Sequence, residues 1–259
     1  MKIFPLSNYD RVKLAHLVSL IIFLLSVIHA FSWTLLLSGL IVSWMFYCFG
    51  LAISLHKYSS HRTFEPKNRF IKLFLLWAGN QVTMGSSIAF AAGHRQHHVH
   101  SDTEKDPYYL DQGIGHKIKL YFYWFPEYKI NPMVIKDLIR DKDHSFFNRH
   151  YWKITLVYPL LLALVDPILV GYFYAMPVLY VLLGMGYVTV IAHLPNFSSR
   201  KQPTKDNSWN SQLFSFILAG EGLHNNHHAR PGDSNYEHFP GDFDPSGRII
   251  DYIKCDKSA

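Results

Sequence analysis

Histidines in this sequence cluster at the ends of apolar segments. The pattern His-x-x-His-His occupies residues 94–98 and returns at residues 224–228. Because positions i, i+3 and i+4 of a helix share one face, His94, His97 and His98 can aim three imidazoles at one point. Neutral imidazole is a ligand for iron, zinc, copper and nickel. The spacing therefore predicts a metal site.

The number of clustered histidines predicts more than one metal ion. His56 and His61 form the first histidine cluster in chain order, ahead of the second at residues 94–98 and the third at residues 224–228. This pair lies where an apolar segment ends, and His193 stands at the end of another. At a spacing of five residues, the two side chains do not share one face of an α-helix. They converge only if the last helical turn unwinds. The second copy of the repeated pattern supplies His224, His227 and His228. One zinc site takes four ligands, so two metals sharing eight or nine imidazoles account for the count.

The other metal-binding residue types to consider are cysteine and aspartate. The two cysteines, Cys48 and Cys255, form neither a disulfide framework nor a paired thiol site, so any metal rests on histidine. Asp102 and Asp106 follow the central cluster closely. Such carboxylates are suited to accept the second ring N–H of a ligating histidine, which fixes its tautomer. The alternative is a solvated acidic turn that Pro107 ends.

Charge-free segments predict the elements that carry these clusters. No Lys, Arg, Asp or Glu occurs from Leu14 to His56, and Asp166 is the only one from Ile154 to Ser199. Each segment is long enough for two crossings of about 20 residues. We expect an all-α membrane protein with four transmembrane helices in two hairpins, at about 14–32, 34–55, 154–173 and 176–194. A cytosolic helical cap, 56–153 and 195–259, completes a single domain over 1–259, and Asp166-Pro167 is either the second turn or a helix break.

The apolar segment Leu73–Gly93 decides whether the clusters can meet. If this segment crossed the membrane, His56 and His61 would lie on the opposite side from the central cluster. It also carries polar residues in its middle, which are costly in lipid without partners. We therefore expect an interfacial or re-entrant segment.

The charge distribution predicts the orientation in the membrane. The net charge of +6 is modest, and basic residues flank the apolar segments while both hairpin tips have none. By the positive-inside rule, both termini and both polar segments face the cytoplasm. We expect a multi-pass protein of a bacterial inner membrane or the endoplasmic reticulum, with the bilayer as a partner and no nucleic acid.

The histidine patterns resemble those of a known enzyme family. His56 to His61, then residues 94–98 followed by Asp102 and Asp106, then residues 221–228, look like the three histidine boxes of membrane fatty-acid desaturases of the Δ9, stearoyl-CoA-desaturase-like family. The likeness covers roughly residues 30–250. In that family the boxes hold two irons on the cytosolic side of four transmembrane helices.

The resemblance implies ligands and supporting residues. The implied iron ligands are His56, His61, His94, His97, His98, His193, His224, His227 and His228. The candidates for orienting them are Asp102, Asp106, Glu221 and Asn225. Where the family often has an asparagine that holds a water ligand, four residues before His193, this sequence has Thr189.

The resemblance also implies the reaction and its partners. Two irons reduce O2 with two external electrons, and a saturated acyl chain loses two hydrogens to leave a cis double bond. The acyl chain arrives on CoA, on a carrier protein or in a lipid. A separate donor of the ferredoxin or cytochrome b5 type supplies the electrons.

Two other classes of function stay open at this point. A hydroxylase or a sterol or carotenoid oxygenase can carry the same boxes. A non-catalytic metal- or haem-binding membrane protein is a different class, but it requires histidines within the bilayer, whereas these flank the spans. No His-Glu-x-x-His motif of a zinc protease occurs.

Overall fold

The computed structural model describes residues 7–110, 113–124, 131–194 and 201–255, and this part of the chain is helical. In chain order the α-helices are α1 (Ser7–His29), α2 (Trp33–Phe46), α3 (Arg69–Gln81), α4 (Ser87–His100), α5 (Ile114–Tyr121), α6 (Lys136–Arg140), α7 (Lys142–Arg149), α8 (Tyr151–Val165), α9 (Pro167–Val170), α10 (Met176–Thr189), α11 (Gln212–Ile217), α12 (His224–Ala229) and α13 (Pro245–Ile253). The prediction of an all-α fold is confirmed: in the described ranges the only β-pairing consists of isolated bridges.

Four helices of other winding lie between these α-helices in the described ranges. Two are π-helical, at Tyr47–Ser60 and Gly171–Ala175, and two are 3-10 helices, at Pro132–Ile135 and Ile191–His193. The π-helix Tyr47–Ser60 continues α2 without interruption, so the two form one rod, Trp33–Ser60. His56 and His61 thus lie at the end of a long continuous helix.

Within the described ranges, three helical stretches are long and apolar enough to cross a membrane, judged by length and composition. They are Asp10–His29, Trp33–Ser60 and Pro167–His193. Ser32 begins the second, and its side chain accepts a hydrogen bond from the backbone N–H of Leu35. The first stretch ends at His29 and the second begins at Trp33, so a short turn at residues 30–32 joins them.

The turn of the second predicted hairpin lies elsewhere than expected. The sequence-based boundaries 154–173 and 176–194 are wrong, because α8 ends at Val165 and the next helical stretch starts at Pro167. Asp166 is extended, with φ −161° and ψ 122°, as expected for a residue before proline. Its carboxylate accepts from the N–H of Ile168 and caps the new helix. At 1.5 Å per residue α8 is about 22 Å long, less than the roughly 30 Å of a bilayer core.

The segment Leu73–Gly93 is two helices with a turn, not one spanning helix. α3 ends at Gln81 and α4 begins at Ser87. The polar side chains near this turn are buried and bonded to neighbouring helices: Asn80 Nδ2 donates to the carbonyl of Phe147 at 3.3 Å, and Ser87 Oγ lies 2.8 Å from His144 Nδ1. The turn returns the chain toward the π-helix, so the central histidine cluster lies beside His56, with the rings of His56 and His94 4.4 Å apart.

Arg95 connects α4 to the end of the π-helix. Its guanidinium donates to the carbonyls of Ser59 and Ser60 at 2.9 and 2.7 Å and pairs with Asp137 at 2.7 Å. The last carbonyls of a helix lack partners within it, and a basic side chain satisfies them here. This contact fixes the distance between the two helices that carry the first two histidine clusters.

Candidate metal centre

Nine histidine side chains converge in two adjacent groups. The five-histidine group consists of His56, His61, His94, His98 and His227, and the four-histidine group of His97, His193, His224 and His228. Within each group, one ring nitrogen of every histidine lies within 4.8 Å of those of the others. These are the nine histidines identified in the sequence.

Three elements supply the five-histidine group. The π-helix contributes His56 and its C-cap residue, His61. α4 contributes His94 and His98, and α12 contributes His227. The Nε2 atoms of His61 and His94 are 2.7 Å apart, and those of His56 and His227 are 3.0 Å apart. In a π-helix the backbone bond runs from i+5 to i, and the N–H of His61 donates to the carbonyl of His56 at 3.1 Å. The wider winding, rather than an unwound turn, brings this pair together.

The four-histidine group combines α4, α12 and the 3-10 helix after α10. His193 Nε2 lies 3.0 Å from His224 Nε2, and the His193 ring is 5.0 Å from that of His97. α4 thus sends its i, i+4 pair to one group and His97 to the other. α12 does the reverse, giving His224 and His228 to the four-histidine group. The expectation that three imidazoles of one helix meet at one point is wrong.

Carboxylates lie against the outer nitrogen of four of these rings. Glu221 Oε2 lies 2.7 Å from His56 Nδ1, and Asp106 Oδ2 lies 2.8 Å from His97 Nδ1. Asp102 lies 3.2 Å from His193 Nδ1 and Asp206 lies 2.9 Å from His228 Nδ1. A proton on Nδ1 directs the lone pair of Nε2 inward, which is the arrangement of a metal-ligating histidine. Asp102 and Asp106 are therefore not a solvated acidic turn.

Asp206 is the residue that sequence reasoning missed. It is 22 residues from His228, and no spacing rule joins the two. Asn225, by contrast, was expected to orient a ligand but turns away from the rings. Its Oδ1 accepts from the backbone N–H groups of Lys201 and Gln202 at 3.0 and 2.8 Å. It thereby anchors the segment that carries Asp206.

Thr189 lies beside the four-histidine group. Its hydroxyl donates to the carbonyl of Met185 at 2.8 Å, one turn earlier in α10. The side chain also lines a cavity together with His97 and His224. Its oxygen keeps acceptor capacity toward that cavity.

Burial and mutual repulsion keep most of these imidazoles neutral. Burial lowers the pKa of His94 and His227 well below the ordinary value, and neighbouring histidines lower both further. The pKa of His61, His98 and His224 falls for the same reasons. Burial lowers the pKa of His228 to about 4, although Asp206 opposes this. For His97, burial lowers the pKa but the nearby Asp106 outweighs it, so the net shift is upward.

The donor set fits two metal ions. Imidazole rings, which are metal ligands, occur in two groups of five and four, and carboxylates lie against the outer nitrogens of four of them. One cavity reaches both groups, touching His56 and His94 of the first and His97 and His224 of the second. The rest of its wall is Tyr47, Leu51, Phe90, Tyr108, Met185, Val188, Thr189 and Glu221. An apolar chain can therefore approach both groups.

The fold and the site define a helical protein with membrane-length helices and two groups of buried histidines that are compatible with a metal site. Residues 31–238 match the family model described as "Fatty acid desaturase". The chain belongs to the fatty acid desaturase family and is an oxidoreductase of that family. The resemblance noted in the sequence is confirmed, and the apolar helices are consistent with an integral membrane protein.

Named relatives carry several types of acyl substrate in their names. The chain is 28% identical over 203 residues to the sn-1 stearoyl-lipid 9-desaturase of Anabaena variabilis, covering 77% of this chain and 73% of that protein. It is 27% identical over 262 residues to stearoyl-CoA desaturase 5 of Bos taurus, covering 90% and 75%. It is also 29% identical over 214 residues to the hex-5-enoyl-[acyl-carrier protein] acetylenase of Moorena producens (strain JHB), covering 73% and 65%.

Proposed function

We propose that this protein is an O2-dependent acyl desaturase that introduces a cis double bond at Δ9 of a saturated long-chain acyl group. The observation that carries the proposal is a cavity that reaches both histidine groups. The names of the relatives favour Δ9, and they favour an acyl-lipid or acyl-CoA substrate over a carrier-protein substrate.

The nine histidines would hold two iron ions, five on one and four on the other. Iron bound there supplies the reduction of O2 and the removal of hydrogen from the substrate. Overall, one O2, two external electrons, two protons and two substrate hydrogens give two water molecules and one C=C bond. The electrons come from a separate ferredoxin or cytochrome b5 type donor.

The protein's own residues position the reactants. Asp102, Asp106, Asp206 and Glu221 hold the Nδ1 side of their histidines and so fix each Nε2. The apolar wall from Leu51, Phe90, Met185 and Val188 excludes water and holds a methylene chain against the histidine groups. Thr189 occupies the edge of the four-histidine group, where its hydroxyl can accept a hydrogen bond from a water molecule.

We further propose that the single domain 1–259 crosses the membrane four times, with the histidine groups on the cytoplasmic side. In addition to the three long helical stretches, α8 with its flanking residues would form a crossing, the third in chain order. Its exposed face is apolar at Leu156, Val157, Leu160, Leu161 and Leu164, which suits contact with lipid. Lys153 lies at its start, as expected for a cytoplasmic end.

The test is the fatty-acid profile of a host that lacks its own desaturase. Cells expressing the wild type with a suitable electron donor should contain a new monounsaturated acid, and mass spectrometry of the double bond should place it at Δ9. His98→Ala should abolish the product, because it removes a ligand from the five-histidine group.

His100→Ala is the matched control. His100 is on the same helix α4 but belongs to neither histidine group, so this variant should keep its activity. More than about a tenth of wild-type turnover in His98→Ala would contradict a ligand role. A hydroxylated product from the wild type would move the protein to the hydroxylases of the same fold.

A further inference from the structure

A buried ion pair joins the π-helix to the C-terminal segment. Lys57 follows His56 directly, and the side chains of Lys57 and Asp244 are both fully buried. Lys57 Nζ lies 2.6 Å from Asp244 Oδ2 and donates to Ser246 Oγ at 2.8 Å. Removing one partner of such a pair leaves an uncompensated charge in the interior, so each partner depends on the position of the other.

The Asp244 carboxylate is bonded on both of its oxygens. Oδ2 also accepts from the backbone N–H of Tyr236 at 2.9 Å, and Oδ1 accepts from the N–H of Gly247 at 2.9 Å. The same oxygen abuts Gly220, whose φ of +105° suits glycine and where an added Cβ would collide with it. Asp244 therefore ties the segment that leads into the third histidine cluster to the π-helix of the first.

Tyr236 is held between this ion pair and the histidines. Its N–H is bound by Asp244, and its carbonyl accepts from Asn226 Nδ2 at 2.8 Å. Lys57 Nζ lies 3.9 Å from the centroid of its ring. The same ring lies 4.9 Å from that of His227 and 6.3 Å from that of His56. Both of these histidines belong to the five-histidine group.

We propose that the Lys57–Asp244 ion pair is a lock that positions the five-histidine group by holding Tyr236 against His56 and His227. The inference rests on the proposed metal centre. Lys57 and Asp244 are positioning residues, since they lie behind the rings and do not line the cavity. The ring contacts of Tyr236 with metal-site histidines reach the five-histidine group alone among the described residues, so we expect the lock to act more strongly on that metal position.

The test measures metal per chain in the purified full-length protein by mass spectrometry of the elements. The wild type should hold two irons, and Lys57→Met and Asp244→Asn should each hold one, with helix content unchanged by circular dichroism. Lys72→Met is the matched control. Lys72 pairs with Asp141 and Asp143 at 2.7 and 2.9 Å between α3 and α7, away from both histidine groups, so this variant should keep two.

Two further measurements distinguish the proposed lock from a general structural role of the ion pair. In the metal-free protein, Lys57→Met should speed hydrogen exchange in residues 52–61 and 231–247 but not in residues 188–194, which lead to His193. The double variant Lys57→Met with Asp244→Asn removes both buried charges and should recover part of the second iron. Such recovery is the signature of a direct coupling between the two side chains.

The outcomes distinguish this inference from the proposed function. Two irons in Lys57→Met overturn the lock, and so does the loss of both irons together with helix content. A wild type with fewer than two metals overturns the proposed metal centre. In that case the hydrogen exchange of residues 231–247 in metal-free protein still decides: a rate unchanged by Lys57→Met overturns the lock.

Discussion

The orientation of four histidines of the centre depends on the carboxylate beside the outer nitrogen. Four rings have a carboxylate there, and three of the four carboxylates belong to or follow a histidine cluster in the sequence. The fourth, Asp206, is itself fixed by Ser208, whose N–H donates to its Oδ1 at 3.0 Å. The pKa of Asp206 is lowered, because the hydrogen bond from His228 and those from Ser208 outweigh the effect of burial. The carboxylate stays ionised and keeps its hold on His228.

At Thr189 we predict that asparagine is tolerated and valine is not. Asparagine keeps a hydrogen-bonding group beside the four-histidine group, whereas valine has the shape of threonine without the hydroxyl that donates to Met185. Thr189→Asn should keep activity and two metals, and Thr189→Val should lose about 10-fold or more in turnover. Product formation and metal content of purified protein check both. An inactive Thr189→Asn would show that this position does not hold water.

The sequence predicted these residues unevenly. Six of the nine histidines could be identified because the two patterns His-x-x-His-His are local and each lies on one helix. His56, His61 and His193 were identified by their place at the ends of apolar segments. Their division between two groups could not, since it depends on how α4 and α12 face each other across the centre. Asp206 was missed for the same reason: its distance from His228 is set by the fold and not by spacing.

On the scale of elements, the centre depends on close contacts between backbones. The segment that leads into α12 passes so near α11 that a Cβ on Gly222 would overlap the backbone of Phe214 and Ser215. The N–H of Ser211 also donates to the carbonyl of Gly222 at 2.7 Å. This contact fixes where α12 begins, and with it the positions of His224, His227 and His228.

We predict that Gly222→Ala disrupts the third histidine cluster. The added methyl meets backbone that cannot move aside, so the substitution should lower the free energy of unfolding by about 1–3 kcal/mol or more and reduce metal content. Gly232→Ala is the matched control, since a Cβ there has open space around it. Thermal unfolding and metal content of both variants check the prediction. Equal metal content in the two variants would contradict it.

Two features of the elements lay beyond sequence reasoning. The wide winding of Tyr47–Ser60 brings His56 and His61 together, although their spacing suits no face of an α-helix. No periodicity of residue types distinguishes a π-helix from an α-helix in an apolar segment. The turn of the second predicted hairpin was placed about ten residues too late. The sequence left Asp166-Pro167 as either this turn or a helix break, and only the capping geometry of Asp166 decides between the two.

On the scale of the whole molecule, the buried imidazoles couple folding to pH. The pKa values of His61, His94, His98, His224 and His227 are lowered by burial and mutual repulsion. Between these folded values and the ordinary 6.5, the unfolded chain binds more protons than the folded chain. Stability is therefore full above pH 6.5 and is lost as the pH falls. The pKa of His228 is lowered as well, whereas that of His97 is raised, so one group of the centre opposes six.

We predict that the metal-free protein loses stability steeply below pH 6.5. Each neutral histidine costs about 1.4 kcal/mol of the free energy of unfolding per pH unit below its ordinary pKa. Tm of metal-free protein in detergent should fall by many degrees between pH 6.5 and pH 5. The iron-loaded protein should resist until the pH at which iron is released, because metal and protons compete for the same nitrogens. Equal Tm of metal-free protein at these two pH values would contradict the prediction.

The native cysteines allow a direct test of orientation. Cys48 is buried, whereas Cys255 is exposed near the end of the described chain. If the histidine groups and the C-terminal segment face the cytoplasm, a membrane-impermeant maleimide should leave Cys255 unlabelled in intact cells and label it in inside-out vesicles.

A second thiol tests the opposite face of the membrane. Ala30→Cys in a Cys255→Ser background places the only accessible thiol in the turn between α1 and α2, at the opposite end of the first hairpin. It should label in intact spheroplasts, because α1 and the rod Trp33–Ser60 are each long enough to carry the chain across. Labelling of both thiols from the same side would mean that this hairpin does not cross the bilayer. Labelling of Cys255 from outside would instead place the histidine groups on the non-cytoplasmic face, where a soluble cytoplasmic electron donor could not reach them.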